Sequence, residues 1–164
     1  MSVYMNPEYY KGPQPQLVTM KAKTGQSWLP GQFARSTATG IVLTTAVTGK
    51  AQYLTADLQV TDTTANEEVK LYKIPSNETQ FKIYMTAASV DDVANPAYIG
   101  QNYGIAVNSC ICTLAVPNTT NAFLHVENIL PNVGTAGRSE NDTDATPGVA
   151  IVSVLQSVLD GDAG

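Results

Sequence analysis

His125, the only histidine of the chain, stands in FLHVEN. Strand geometry would set it on one face with Phe123 and Glu127. A histidine beside a carboxylate is the minimal pair for acid–base work near neutral pH. No other residue of that chemistry is spaced to join it, and a strand histidine satisfied by a neighbour explains the same pattern. Cys110 and Cys112 in SCICT would share one strand face, too tightly looped for a disulfide, and read as reduced core thiols. With His125 they make three soft-metal donors, one short of a structural zinc site, so no metal is expected. Glu140, Asp142 and Asp144, with Asn141, offer alternating oxygen ligands in SENDTDATPG. Calcium takes such ligands, but the EF-hand's glycine and its closing glutamate are missing, and a solvated turn is the simpler expectation.

The familiar motifs of catalysis are absent: no G-x-S-x-G, no Walker lysine loop, no G-x-G-x-x-G. Asn77, Asn118 and Asn141 each begin an N-x-[ST] triplet, which in a chain rich in Thr and Asn marks polar turns. Trp28 precedes a Pro30–Gly31 turn. A sugar platform there would need a second aromatic beside it. No catalytic residue and no cofactor follow from the sequence, and the expected class is not an enzyme.

Composition narrows the partners. Of the 164 residues, 43% are hydrophobic and 14% charged, against a usual charged share of about 25%. Thr, Asn, Gln and Ser fill the difference, which suits polar strand faces and surfaces that become covered in an assembly. Such a length fits one domain with a real core. The net charge is −5, with a pI of about 4.6. Residues 1–50 carry Lys11, Lys21, Lys23, Arg35 and Lys50 against Glu8 alone, while from residue 83 onward Arg138 is the only base. A nucleic-acid binder would be basic, so no nucleic acid is expected. The most apolar stretch, PGVAIVSVLQSVL, is interrupted by Ser153, Gln156 and Ser157 and is too short to span a bilayer, so no membrane is expected either. The start has no basic region leading into an apolar one, which with reduced thiols implies synthesis in a cytoplasm.

The elements that must position these residues read as strands. QLVTMKAKTG alternates and ends at Gly25; TGIVLTTAVTGK and AQYLTADLQV follow. VKLYKI and FKIYM flank PSNETQ as a hairpin, with Phe81, Ile83 and Met85 on one face and Lys82 and Tyr84 on the other. IAVNSCICTLAV reads as one buried strand and AFLHVENIL as another. VAIVSVLQSVL starts as a strand, because Val149, Ile151, Val152 and Val154 are β-branched, and its end could be helix. Long connections fall near 86–104, with one helical turn around Val90–Val93, and near 131–148. The fold class is therefore all-β: a single β-barrel or β-sandwich domain of about eight to ten short strands over residues 17–164.

Ahead of it, residues 1–16 form an extended N-terminal arm. Tyr4, Pro7, Tyr10 and Pro13 recur every third residue, and Tyr9 adds a further ring. In a polyproline II rod that spacing makes one apolar edge, and thirteen residues at about 3.1 Å each reach roughly 40 Å. Such a rod could cross a neighbouring subunit or fold back on its own domain.

In GQSWLPGQFARSTATGIV, a strand leads into a turn with glycine before an aromatic, Gly31 and Phe33, then a second glycine-led strand, Gly40 to Val42. This resembles the opening of the small head decoration, or cement, proteins of tailed bacteriophages, and YGIAVNSC resembles their returning strand. The resemblance implies a structural virion protein on the outer surface of an icosahedral capsid, bridging capsid subunits and stabilising the shell. Its implied partners are the major capsid protein and copies of itself. The implied contacts are Tyr4, Pro7, Tyr9, Tyr10 and Pro13 of the arm, with Trp28 and Phe33 as candidate interface residues. Deleting residues 1–15 should then leave a folded domain that no longer attaches. The alternative is a carbohydrate- or receptor-binding β-domain of a phage head or tail fibre, using clustered surface aromatics or a calcium loop near Trp28, Tyr98 or Tyr103.

Overall fold

The computed structural model describes residues 6–57, 59, 62–85, 96–108, 110–130 and 148–160. Their strands, in chain order, are β1 (Glu8–Lys11), β2 (Gln16–Lys21), β3 (Phe33–Thr37), β4 (Gly40–Leu43), β5 (Tyr53–Thr55), β6 (Glu68–Lys73), β7 (Gln80–Tyr84), β8 (Asn102–Asn108), β9 (Ile111–Ala115), β10 (Leu124–Leu130) and β11 (Val149–Val154). They form two antiparallel sheets among the described residues. One runs β1-β7-β11-β10-β8-β9 and the other β2-β6-β5-β3-β4. In the smaller sheet the two ends meet at a single parallel bridge, Ala22–Ile41, and in the larger one such bridge joins Met85, just after β7, to Leu114 of β9. One bridge is not a ladder, so neither sheet closes into a barrel. The all-β, sandwich-like alternative is the one consistent with the structure.

Period-two patterning positions the smaller sheet. Val18, Met20, Val69 and Leu71 point to one face, where they pack with Ala22, Trp28, Ala34 and Ile41 as a small core inside the curl of that sheet. The curl needs β4 close to the end of β2. A Cβ on Gly40 (φ +122°) would lie 2.7 Å from the Lys23 nitrogen and 2.8 Å from the Ala22 carbonyl carbon. Only glycine fits that approach.

Phe33 and Leu54, facing each other across β3 and β5, project from the opposite face into the larger core. There they meet Phe81, Ile83, Met85, Phe123 and Val152. Phe33 stands edge-on to Phe81 and to Phe123, with ring centroids 6.0 and 5.4 Å away, the arrangement aromatic quadrupoles favour. Phe81, Ile83 and Met85 are buried while Lys82 and Tyr84 are half-buried, as their alternation predicts.

VKLYKI and FKIYM do not form the expected hairpin, because β6 and β7 lie in different sheets. Two further elements differ from the sequence expectation, and the end of the 149–159 segment, left open between strand and helix, is defined. IAVNSCICTLAV is a hairpin, β8 and β9, not one strand. Asn108 is a turn former, and Cys110 takes the left-handed conformation (φ +64°) that the reversal requires. Cys110 therefore sits on the turn, and only Cys112 is a core thiol. The 149–159 segment is a strand to Val154, where the β-branched run stops, followed by one helical turn, α1 (Gln156–Leu159). Within the 86–104 connection, Pro96–Tyr98 is a 3-10 turn and β8 already begins at Asn102. The helical turn expected at Val90–Val93 lies outside the described residues, as do 131–147 with Glu140, Asp142 and Asp144.

Candidate functional site

The described part of the arm lies on the domain. Asn6 holds its start: the side-chain amide donates to the Cys110 carbonyl (3.0 Å) and accepts from the Cys112 N–H (2.8 Å). One amide thus imitates the pairing of a neighbouring strand along β9. Pro7 is buried behind it. β1 then runs antiparallel to β7, Glu8 opposite Lys82 and Tyr9 opposite Phe81. The register slips between Tyr9 and Lys11, which makes Tyr10 the extra residue of a bulge. Its ring lies under the Lys82 ammonium, 5.5 Å from the centroid. Gly12 (φ +96°) turns the chain. The Pro13 carbonyl then accepts from Thr79 Oγ1 at 2.7 Å, and the chain crosses into β2 of the other sheet.

A β-strand thus replaces the expected polyproline rod. Tyrosine is also a strong strand former, and β7 would otherwise expose a row of unpaired backbone groups. A short, bulged strand flanked by prolines covers that edge and is itself a poor template for further pairing.

Between the arm and the smaller sheet runs an open groove of about 310 Å³. Pro7, Tyr9 and Pro15 form one wall, Pro30 and Gly31 lie at its side, and Leu54 and Tyr72 line it from the sheet. Tyr9 is set by a hydrogen bond from its hydroxyl to the Gly12 carbonyl, 2.5 Å. Leu54 belongs to a cross-strand row on one face: Phe33 opposite Leu54, Leu54 opposite Tyr72, Tyr72 opposite Leu17. Exposure climbs along this row from 1% at Phe33 and 5% at Leu54 to 40% at Tyr72 and 55% at Leu17. An apolar row that starts in the core therefore surfaces beside the groove. Its next neighbours on the same face are polar, Thr19 opposite Lys70 and Lys21 opposite Glu68. Apolar centre and charged margin are the usual anatomy of a protein–protein contact.

The residues singled out by sequence fall into distinct places. Tyr9 and Pro7 line the groove. Tyr10 is 42% exposed but lies over Lys82. Pro13 is exposed at the turn after β1, and Tyr4 lies outside the described residues. Trp28 and Phe33 are not surface residues: both are buried, and the indole N–H donates to the Asp57 carbonyl at 2.8 Å. Packing the two cores consumes their area. The aromatics proposed for a sugar platform are likewise unavailable as a set, because Tyr103 is buried against Tyr98, edge to face at 5.8 Å.

His125 does not share a face with Phe123, which precedes β10 and is fully buried. His125 points outward, Nδ1 2.7 Å from Asn102 Oδ1. Ser153 faces it across the sheet but donates its hydroxyl to Glu127 Oε1 at 2.8 Å. Histidine and carboxylate are each held by a different neutral partner, an ordinary polar network on a sheet face. Cys112 is wholly buried, and burial pushes its thiol well above the ordinary 9.0, a hydrogen bond to the Phe33 backbone offsetting this in part. A thiol held neutral is a poor nucleophile and a poor metal ligand. Among the described residues no three His, Cys, Asp or Glu side chains converge as metal ligands, and no helix is long and apolar enough to cross a membrane. The Asn118 triplet is structural: its amide donates to the Ala46 and Ile105 carbonyls at 2.8 and 3.1 Å.

Leu17, Leu54 and Tyr72 were not among the sequence candidates. The signal for Leu17 and Tyr72 was an apolar residue at an outward position of QLVTMK and of VKLYKI, where alternation leads one to expect a polar one. Comparison with family models, curated proteins and solved structures finds no match for this chain.

Proposed function

We propose that this chain is a structural docking protein, one that attaches to the outside of a tailed-phage capsid and reinforces it by bridging capsid subunits. One observation carries the docking part: the apolar row that emerges from the core at Tyr72 and Leu17 beside a groove walled by the arm. Exposed leucine and tyrosine on an otherwise polar sheet face gain free energy when a partner covers them. Full burial of such a side chain contributes about 1.5–3 kcal/mol, and tyrosine is over-represented among residues that dominate binding. The capsid assignment rests on the resemblance of residues 25–42 and on the low charge of the chain.

The partner is the major capsid protein, and the role needs no catalysis or cofactor. A small groove makes a modest single contact. Many copies on a repeating lattice turn modest contacts into durable attachment, because each bridge raises the effective concentration of the next. The arm acts here as the wall that shapes the docking face, instead of as a free rod. Burial of Trp28 favours docking over the sugar-binding alternative as the reading to test first. The test is co-sedimentation with expanded heads of the tailed phage that carries this gene, followed by heating. Saturable binding that raises the temperature of DNA release supports the proposal. Failure to bind heads, together with capture by a glycan array, overturns it.

A further inference from the structure

We propose that β1 is exchangeable between copies of this chain. In an exchanged pair each copy lays residues 6–11 on the β7 edge of the other. The groove is then composite, with Pro7 and Tyr9 from one copy and Pro15, Leu54 and Tyr72 from its partner.

The contacts that seat the arm are of a kind any copy can supply. They are the β7 ladder, the Cys110 carbonyl and Cys112 N–H that hold Asn6, and the Gly31 backbone, close to which Asn6 and Pro7 pack. A second copy offers the identical set. Closed and exchanged forms therefore differ chiefly in the connection from β1 to β2, the four residues Gly12-Pro13-Gln14-Pro15. Two of the four are prolines, whose fixed φ favours an extended path. Gly12 alone turns the chain back, at φ +96°, and a Cβ there would fall inside the Glu78 carbonyl. A short, conformationally constrained hinge is the feature that invites exchange. β1 is also only four residues long, and all four are exposed, so its opening costs far less than global unfolding.

The occupant of a vacated β7 edge is set by specificity. A foreign strand lacks an amide placed like Asn6 and a ring placed like Tyr9 opposite Phe81. Simple edge-to-edge association through the outer side of β1 is disfavoured by its bulge and brevity. Copies crowded side by side on a lattice meet at high local concentration, and exchange then adds links between them without new chemistry.

The experiment uses Glu8→Cys on one full-length chain and Lys82→Cys on another, both with Cys110→Ser. These two positions face each other across β1 and β7, within reach of a disulfide. The chains are mixed, unfolded, refolded over a hundredfold range of concentration and oxidised. The expected result is a covalent dimer containing one of each chain, its yield rising with concentration. Gly12→Pro, which cannot adopt a positive φ, should raise the dimer fraction of the otherwise unaltered chain at least tenfold by light scattering. Exchange is overturned if no mixed disulfide forms at any concentration while a single chain carrying both cysteines closes completely within itself. A folded, monomeric Gly12→Pro variant also overturns it. Either result leaves capsid docking intact, since a monomer can still bind heads through its own groove.

Discussion

Asn6→Ala tests whether the arm is part of the fold. The substitution removes two hydrogen bonds, to the Cys110 carbonyl and from the Cys112 N–H. Each contributes about 0.5–1.5 kcal/mol net. Both lie at a half-buried site, where water only partly replaces the lost partner. The summed cost is then about 2 kcal/mol, or a fall in Tm of about 4–8 °C for a domain of this size. The loss should also be local at first. Amides of β1 and of the facing edge of β7 should lose at least tenfold in hydrogen-exchange protection, while Val69 and Leu71 in the other sheet keep theirs. Calorimetry and exchange by mass spectrometry read both. Glu8→Ala, at an exposed position, is the control and should shift stability by less than about 0.5 kcal/mol. An Asn6→Ala protein with unchanged Tm and unchanged protection at β1 would refute the strapped arm. A loss spread evenly over both sheets would refute its local character. The same reasoning revises the deletion expectation: removing residues 1–15 takes β1 from the larger sheet, so the truncated protein should be markedly less stable as well as unable to dock.

Two further outcomes follow from the cores. Trp28→Phe removes the indole bond to Asp57 and leaves a cavity in the smaller core, at about 2–3 kcal/mol by chemical denaturation; a difference under 0.5 kcal/mol would show that Trp28 is not packed as described. Cys112, with its thiol raised by burial, is neutral in the folded protein, whereas in the unfolded chain it ionises near 9.0. Stability from this group is complete below that pH and falls as pH climbs above it, by up to about 1.4 kcal/mol per pH unit. Native Cys112 should also resist alkylation at pH 8 while half-exposed Cys110 reacts. Labelling of both at equal rates would contradict this.

How much of this was legible in the chain depended on the range of the interaction. FKIYM declared its faces because alternation is local, and Phe81, Ile83 and Met85 are buried as expected. VAIVSV was legible as a strand because β-branched enrichment is local too. SCICT misled because isoleucine and cysteine suit a buried strand, while the turn depends on one left-handed residue, Cys110. Trp28 and Phe33 were candidate interface residues only through the resemblance, and both are buried, since sequence does not show how much of an aromatic the cores will cover. The arm is the clearest case. Its tyrosines and prolines suit both a rod and an edge strand. The choice is made by Asn6 meeting a hairpin more than a hundred residues away and by an edge of β7 that needs covering. The groove exists only once that meeting has occurred, so no local pattern announced it.

The most direct test of the docking claim is head binding by Leu17→Lys and Tyr72→Ala proteins, measured by co-sedimentation beside the unaltered chain. Both side chains are exposed, so stability should move by less than about 1 kcal/mol. The account expects each variant to remain folded and to bind expanded heads at least tenfold more weakly, with the double variant absent from the pellet. Folded variants that decorate heads to full occupancy at the original affinity would contradict it.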